Sequence, residues 1–490
     1  MPNPPSAGKS SLFPLVSKKN EIVLFSRMMS LINTNYSYLE TMQISKTSPV
    51  VGVVVAVYYL GCTIGAIVAS WLADKKGRKP SIFLCLATTS FGNLLMFISG
   101  LSMNGSDPWH GGALACMLLG RIIMGLGVGG IDAVIPVYSS ELSSDGGRGK
   151  ALAQEFQMNI FGLLMAFAIN LGITIGLGKH NQWAWRTPII VMQIFPIVLM
   201  SVISQLPETP RWFISKGRNE DAKKALTKIH GSEAAEDKHD ELQKAQDDES
   251  DEKVGYKDML IPGGSQYHPS MVTVMGQINQ ALTGYGAVSV YGPQIFELLG
   301  FGTRKAEYLT LGNYISYFLM MTFAWLSIDV FGRRKLMIWG SIGLSSSFFL
   351  LTIFGGLAQD VKGIPDLAIE IPGSIVLFVA TAIFGIGWLA TVWLIPTEIY
   401  PSTARAQGSA ISVIVWGLAN FAVTLLTPVG FNNLKYWLFL VFGVTNAFAG
   451  WWTWRYSPES GGRSFEENQE FFDSAQEDGS WVVRKVDGGK

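Results

Sequence analysis

The chain has 490 residues, of which 49% are hydrophobic and only 15% charged, against about 25% charged for an ordinary soluble domain. Lys plus Arg and Asp plus Glu balance at 37 each, so the net charge of zero excludes the basic footprint of a nucleic-acid binder. The three cysteines, Cys62, Cys85 and Cys116, lie inside apolar runs and read as small buried residues, not as a disulfide framework.

No cleavable signal peptide is expected at the N-terminus, which lacks a basic region followed by a clean apolar stretch. A helix crosses a bilayer with about 20 mostly apolar residues. Eleven runs qualify: 50–73, 81–101, 112–139, 152–177, 184–206, 270–292, 306–328, 336–357, 373–396, 406–428 and 434–456. Lys75, Lys76, Arg78 and Lys79 follow the first run, Arg148 and Lys150 the third, Arg333, Arg334 and Lys335 the seventh, and Arg405 the ninth. Basic loops stay on the cytoplasmic side, which orients the whole set. Two sequons, Asn35-Tyr36-Ser37 and Asn104-Gly105-Ser106, then fall outside and are candidate glycosylation sites. Residues 208–262 are rich in Asp, Glu and Lys, with helical stretches near 219–230 and 233–247, and read as a cytoplasmic linker with a solvated face. The polar tail after 457 is expected to be poorly ordered. The resulting division is an N-terminal segment 1–49, a transmembrane half 50–206, a linker 207–265, a second half 266–456 and a cytoplasmic tail 457–490.

A set of motifs occurs twice. Asp74, Gly77, Arg78 and Lys79 recur as Asp329, Gly332, Arg333 and Arg334, 255 residues later. Glu141 and Arg148 recur as Glu398 and Arg405, and Pro207-Glu208 as Pro458-Glu459. Three features in one order at nearly one offset mark a duplicated half. The duplication exposes a gap. The charge-free run 270–292 has its counterpart at 15–37, which holds Lys18, Lys19, Glu21 and Arg27. A charge at mid-membrane costs about 2.5–3.5 kcal/mol on insertion scales, so the first helix is expected to be truncated, replaced or re-entrant.

These motifs resemble the sugar porter family of the major facilitator superfamily, particularly its fungal hexose, polyol and quinate transporters. Ser70…Asp74-Lys-Lys-Gly77-Arg78-Lys79 resembles the family's Gly-x-x-x-Asp-x-x-Gly-Arg-Arg loop. Pro136-Val-Tyr138-Ser-Ser-Glu141…Arg148-Gly149 and Pro207-Glu208-Thr209-Pro210-Arg211-Trp212 resemble two further signatures, and Pro458-Glu459-Ser460…Gly462-Arg463…Glu466-Glu467 the closing one. The resemblance covers about 50–467 and implies an all-α integral membrane fold of two six-helix halves about an axis along the membrane normal. Alternating access around a midplane site would then be the mechanism.

Two sets of charges are candidates for gating at the inner mouth: Asp74, Arg78, Arg121, Glu141, Arg148 and Glu208 in one half, and Asp329, Arg333, Glu398, Arg405 and Glu459 in the other. The plain alternative is that they mark helix ends and orientation. A sugar needs hydrogen-bonding side chains and aromatic faces along a wet path. Gln157, Gln277, Gln280, Asn313, Trp393, Trp416 and Asn420 are the candidates, most of them at or near positions where the family carries such groups. Interhelical hydrogen bonds and packing are the rival readings. Ala281, Gly286, Ala390 and Val392 depart from the family pattern and weigh against a plain hexose. Asp132 stands alone inside the third run. An ionisable group at that depth is a functional candidate by default: it carries a coupled proton, pairs with a neighbouring helix, or is hydrated near the outer surface.

The expected activity is transport of a sugar or sugar-like polar solute, such as a sugar, polyol or quinate, with proton symport open. The expected setting is the plasma membrane and a monomer. A nutrient sensor on this fold, or an inactive product lacking the first helix, are the alternatives. No nucleophile–base set, metal-ligand spacing or phosphate loop appears, so no enzyme, cofactor or metal is expected.

Overall fold

The computed structural model describes residues 29–101, 110–142, 148–249, 254–361, 365–462, 465–476 and 479–483. Two short pieces, α1 (Met29–Ile32) and α2 (Tyr36–Met42), precede the long helices α3 (Pro49–Lys76), α4 (Arg78–Ile98), α5 (Ala113–Leu142) and α6 (Arg148–Leu177). The next crossing is kinked at Met192-Gln193 into α7 (Trp183–Val191) and α8 (Ile194–Gln205). The linker carries α9 (Pro210–Ser215), α10 (Asn219–His230), α11 (Ser232–Glu249) and α12 (Tyr256–Leu260).

The second set begins with a helix broken into α13 (Tyr267–Leu282), α14 (Tyr285–Val290) and α15 (Gly292–Leu298). Then come α16 (Thr303–Phe331), α17 (Arg333–Asp360), α18 (Asp366–Phe384), a π-helical turn at Gly385–Leu389, α19 (Ala390–Ile399), α20 (Ser402–Leu434) and α21 (Trp437–Tyr456). A tail helix, α22 (Phe465–Gln476), follows. The 255-residue offset maps α3 on α16, α4 on α17, α5 on α18 to α19 and α6 on α20. Inside the first half α5 packs against α3 and α4; between the halves α3 packs on α20 and α6 on α16. The same offset exchanges those two inter-half pairs, as an axis along the membrane normal requires.

Lipid tails give apolar helices no reason to associate, so contact depends on close backbone approach. Gly61 on α3 meets Gly125 on α5, Gly129 on α5 meets Cys62, and a Cβ on Gly65 would sit 2.0 Å from the Leu126 carbonyl oxygen. Outward-facing Ile67, Trp71, Leu319 and Trp339 are more than half exposed and form the surface for lipid. The N-terminus of α3 is held by Ser48, whose hydroxyl accepts the Val50 N–H at 3.2 Å. Its C-terminus stops at Gly77, whose φ of +105° only glycine adopts freely.

Three expectations change and one is made specific. First, 270–292 is not one continuous span: Gly284, at φ +80°, breaks it. Second, the first helix of the first half is atypical, as expected, and the described part of it is the two short pieces α1 and α2. At the repeat offset α1 and α2 fall on α14 and α15; Lys18, Lys19, Glu21 and Arg27 lie outside the described residues. Third, the tail is docked. Phe472 is fully buried, Trp481 stacks on His268 at 4.6 Å, and the Val483 N–H donates to the Arg455 carbonyl at 2.9 Å. Fourth, Asn35 is 2% exposed and its side chain accepts the Tyr38 N–H as a helix cap, so burial removes it as a glycosylation site; the other sequon lies outside the described residues. Among the described residues, nine helices are long and apolar enough to cross a membrane. The broken α13–α15 and the tryptophan-rich α21 supply the remaining two expected runs.

Candidate functional site

A small cavity of about 70 Å³ lies where the two halves meet, lined from both sides. Tyr59 of α3, Asp132 of α5, and Phe156 and Asn159 of α6 come from the first half. Gln280, Tyr285, Gly286, Ser289, Phe384, Leu389, Trp393, Trp416 and Asn420 come from the second. Two irregular segments shape it. The break at Gly284 turns α14 so that Tyr285, Gly286 and Ser289 reach the cavity. The π turn lies beside α13, and the Gln280 Nε2 donates to the carbonyls of Trp388 at 3.1 Å and Leu389 at 3.3 Å. The Trp388 indole donates to the Ser341 hydroxyl at 3.0 Å, fixing that turn against α17.

Aromatic rings form most of the wall. Trp416 lies 5.4 Å from Tyr59 and 5.8 Å from Trp393, and Trp393 lies 6.0 Å from Phe156. Tyr285 and Phe384 stack at 4.0 Å. Such faces suit the apolar side of a ring.

Of the seven sequence candidates, Gln280, Trp393, Trp416 and Asn420 line this cavity. Gln157, Gln277 and Asn313 do not. Gln157 crosses to the other half: its Nε2 donates to the Thr322 hydroxyl at 2.9 Å and its Oε1 accepts from the Trp325 indole at 3.0 Å. Gln277 donates to the Ser412 hydroxyl at 2.6 Å, and Asn313 to the Thr381 hydroxyl at 3.1 Å. All three act as interhelical bonds. Successive helix residues point about 100° apart, so it is Phe156 and Asn159, not Gln157, that face inward from α6. Sequence reading missed Tyr59, Phe156, Asn159, Tyr285 and Ser289. Each is polar or aromatic within an apolar run, so each carried the kind of signal used to select the others, but nothing in the sequence told which of many such residues face the cavity.

Asp132 is 9% exposed and lines the same cavity. Its depth near the meeting of the halves removes the reading of a hydrated carboxylate near the outer surface. Arg121 does not belong to the inner cluster. It sits eight residues from the outer end of α5, about 12 Å along the axis. It is fully buried, with its guanidinium donating to the Val54 and Val55 carbonyls at 3.1 and 3.0 Å and lying over the Tyr58 ring.

The inner charges come together as two matching sets, each inside its own half. Arg78 pairs with Glu141 at 3.1 Å and Asp74 at 3.5 Å; Arg333 pairs with Glu398 at 2.6 Å and Asp329 at 3.0 Å. Glu208 accepts the Lys79 N–H at 2.9 Å at the start of α4, and Glu459 accepts the Arg333 and Arg334 N–H groups at 2.8 and 3.1 Å at the start of α17. A carboxylate there satisfies orphan donors and the helix dipole. Burial pushes the Glu208 carboxyl above its ordinary range, opposed by the N–H groups it accepts. Arg405 donates to the Tyr400 carbonyl within the second half at 3.5 Å; the Arg148 side chain is outside the described set. Among the described residues, the ion pairs that cross between halves are at the opposite, outer end. Lys179 meets Glu307 at 2.5 Å and Lys46 meets Glu297 at 3.4 Å, with the Asn432 amide donating to the Thr47 carbonyl at 2.9 Å.

A family model described as "Sugar (and other) transporter" matches residues 21–472. The MFS-type transporter oryC of Aspergillus oryzae is 29% identical over 432 residues, covering 86% of this chain and 77% of that one. The major myo-inositol transporter IolT of Bacillus subtilis is 27% identical, with 92% of each chain covered. A structure of the proton:xylose symporter XylE of E. coli, bound to 6-bromo-6-deoxy-D-glucose, superposes with a TM-score of 0.78 at 24% identity over 94% of this chain and 98% of that one, which shows the shared fold.

Proposed function

This chain belongs to the sugar transporter family, and on that footing we propose that it moves a neutral sugar or polyol through the central cavity by alternating access. It is a multi-pass membrane transporter and not an enzyme. The observation that carries the substrate reading is the cavity itself: amides, hydroxyls and aromatic faces converge from both halves at the seam where α3 meets α20 and α6 meets α16. Two relatives, a D-xylose–proton symporter of E. coli and the myo-inositol transporter IolT, support the same class.

Gln280 and Asn420 bind hydroxyls, Trp393 and Trp416 cover the ring, and Asp132 carries the coupled proton. The inner ion pairs brace each half as a rigid body, and the outer pairs hold the outer mouth shut. The halves 50–206 and 266–456 rock about the seam, with 207–265 as the linker and 457–490 as the tail; the chain works as a monomer in the plasma membrane. The sensor and inactive-product readings have no observation in their favour.

Uptake of labelled hexoses, pentoses, disaccharides, polyols and quinate by a transport-deficient cell tests this. At least one neutral sugar or polyol should accumulate with the wild type, and Gln280→Ala and Trp416→Ala should each lower its apparent affinity about tenfold or more. No uptake of any neutral solute by a chain present in the membrane defeats the reading.

A further inference from the structure

Resting on that transport reading, we propose that a larger cavity at the outer seam is a second binding site, which takes a neutral sugar ring carrying an apolar group and, when filled, holds the outer mouth shut. This cavity has a volume of about 340 Å³, within the roughly 300–1,000 Å³ of small-molecule sites. The central cavity has about 70 Å³, so in this arrangement the outer one is the roomier. Lys46, Thr47 and Asn432 in its wall are exposed, so it is entered from the outer surface. Its walls have two characters. The Phe431 ring, edge-on to Tyr291 at 6.1 Å, forms an apolar lobe with Val51, Leu298 and Pro428. Asn33, Gln294 and Asn432 bring amides, which both donate and accept. Asn33 is 2% exposed, and neither of its amide atoms has a partner among the described residues; nor has the Gln294 Oε1. Buried polar atoms left in that state are costly, and a small turn of either side chain presents them to a solute hydroxyl. Lys46 and Glu297 pair at 3.4 Å in the same wall, so their charges cancel and the site favours a neutral solute.

The position of this site decides what filling it does. Asn33, Lys46 and Val51 lie on the first-half side of the seam, and Tyr291, Gln294 and Phe431 on the second. A cavity with walls on two bodies keeps its shape only while those bodies hold this position. A solute that fills it binds the outer-closed arrangement and not the open one, and draws the equilibrium toward closure by that difference in affinity. It therefore inhibits uptake from outside without touching the central groups, and more transported solute does not displace it.

The test adds phenyl β-D-glucopyranoside to the outside of cells bearing the full-length chain. It reads uptake of the transported solute by the wild type, and labelling of Val51→Cys in a Cys116→Ser background by a membrane-impermeant maleimide. The glucoside should slow labelling at least about tenfold and lower the maximal rate of uptake, and excess transported solute should not restore that rate. D-Glucose alone and phenol alone should each protect at least about tenfold less, because each fills one lobe. Phe431→Ala and, independently, Gln294→Leu should weaken both effects about tenfold or more, with uptake in the absence of glucoside within about twofold of the wild type. Labelling unslowed at about 10 mM glucoside, inhibition that excess transported solute abolishes, or effects that survive both substitutions overturn this inference and leave transport standing. Absence of uptake for every neutral solute overturns the transport reading, and labelling alone then upholds or overturns the site.

Discussion

Replacing Glu307 with Gln tests whether the outer ion pair holds the outer mouth closed. The Glu307 side chain is fully buried, Lys179 is 16% exposed and Arg304 is 49% exposed. Breaking a buried pair by removing one charge costs about 3–5 kcal/mol, whereas an exposed pair is worth about 0–1 kcal/mol. The half-exposed Arg304 falls in the second class. Lys179 lies between the two, and Gln retains one hydrogen bond, so about 2 kcal/mol is the expected loss. Lys179 and Glu307 belong to different halves, so this loss falls only on the arrangement in which they touch. At 1.4 kcal/mol per factor of ten, the equilibrium shifts toward an open outer mouth by roughly thirtyfold. The assay is the labelling rate of Val51→Cys, which lines a second cavity at the outer seam, with a membrane-impermeant maleimide in a Cys116→Ser background. Labelling should accelerate by about ten- to thirtyfold, and Lys179→Met should reproduce the effect. Unchanged labelling together with a lowered Tm would mean that the pair serves static stability, and the latch reasoning would fail.

Asp132→Asn should abolish the pH dependence of uptake, measured at two pH values; persistence of that dependence assigns coupling elsewhere. Gln157→Ala, which removes bonds to α16 and touches no part of the cavity, should leave solute affinity within about twofold while changing the maximal rate; a tenfold loss of affinity would return Gln157 to the binding site. Gly417→Ala would place a Cβ 2.4 Å from the Thr63 hydroxyl and 3.1 Å from the Tyr59 carbonyl, across the seam. It should wedge α3 from α20 and suppress uptake at normal expression, so undiminished uptake would count against a tight seam. Glu208→Gln and Glu459→Gln should each cost about 1 kcal/mol through the lost charge at a helix start, read as matched drops in Tm; unequal drops would break the equivalence of the two halves.

The inner charge sets were legible in the sequence because the features that define them are linear. Each lies at a helix end, keeps its spacing to a glycine or arginine nearby, and occurs twice. Asp74, Arg78 and Glu141 could be placed without knowing any helix rotation. Gln157 shows where that ends. The spans are apolar nearly all round, so their pattern does not tell which face meets the cavity, and neighbours such as Phe156 and Gln157 point to different partners. Arg121 was misplaced for a related reason: an arginine within an apolar run reads as an end residue until its carbonyl partners on α3 are seen.

Chain order and composition alone therefore determined a duplicated, multi-pass membrane protein with matching inner clusters, because length, apolarity and loop charge act locally along a helix; transport entered with the family motifs. Tertiary structure decided what faces what. The break at Gly284 and the π turn at 385–389 shift side chains out of regular register, and Gln280 meets the carbonyls of Trp388 and Leu389 there. The outer pair of Lys179 and Glu307 joins residues 128 apart, does not recur in the repeat, and exists only because the halves close on that side. Contacts of this kind depend on where two bodies sit relative to each other, and no local pattern encodes that.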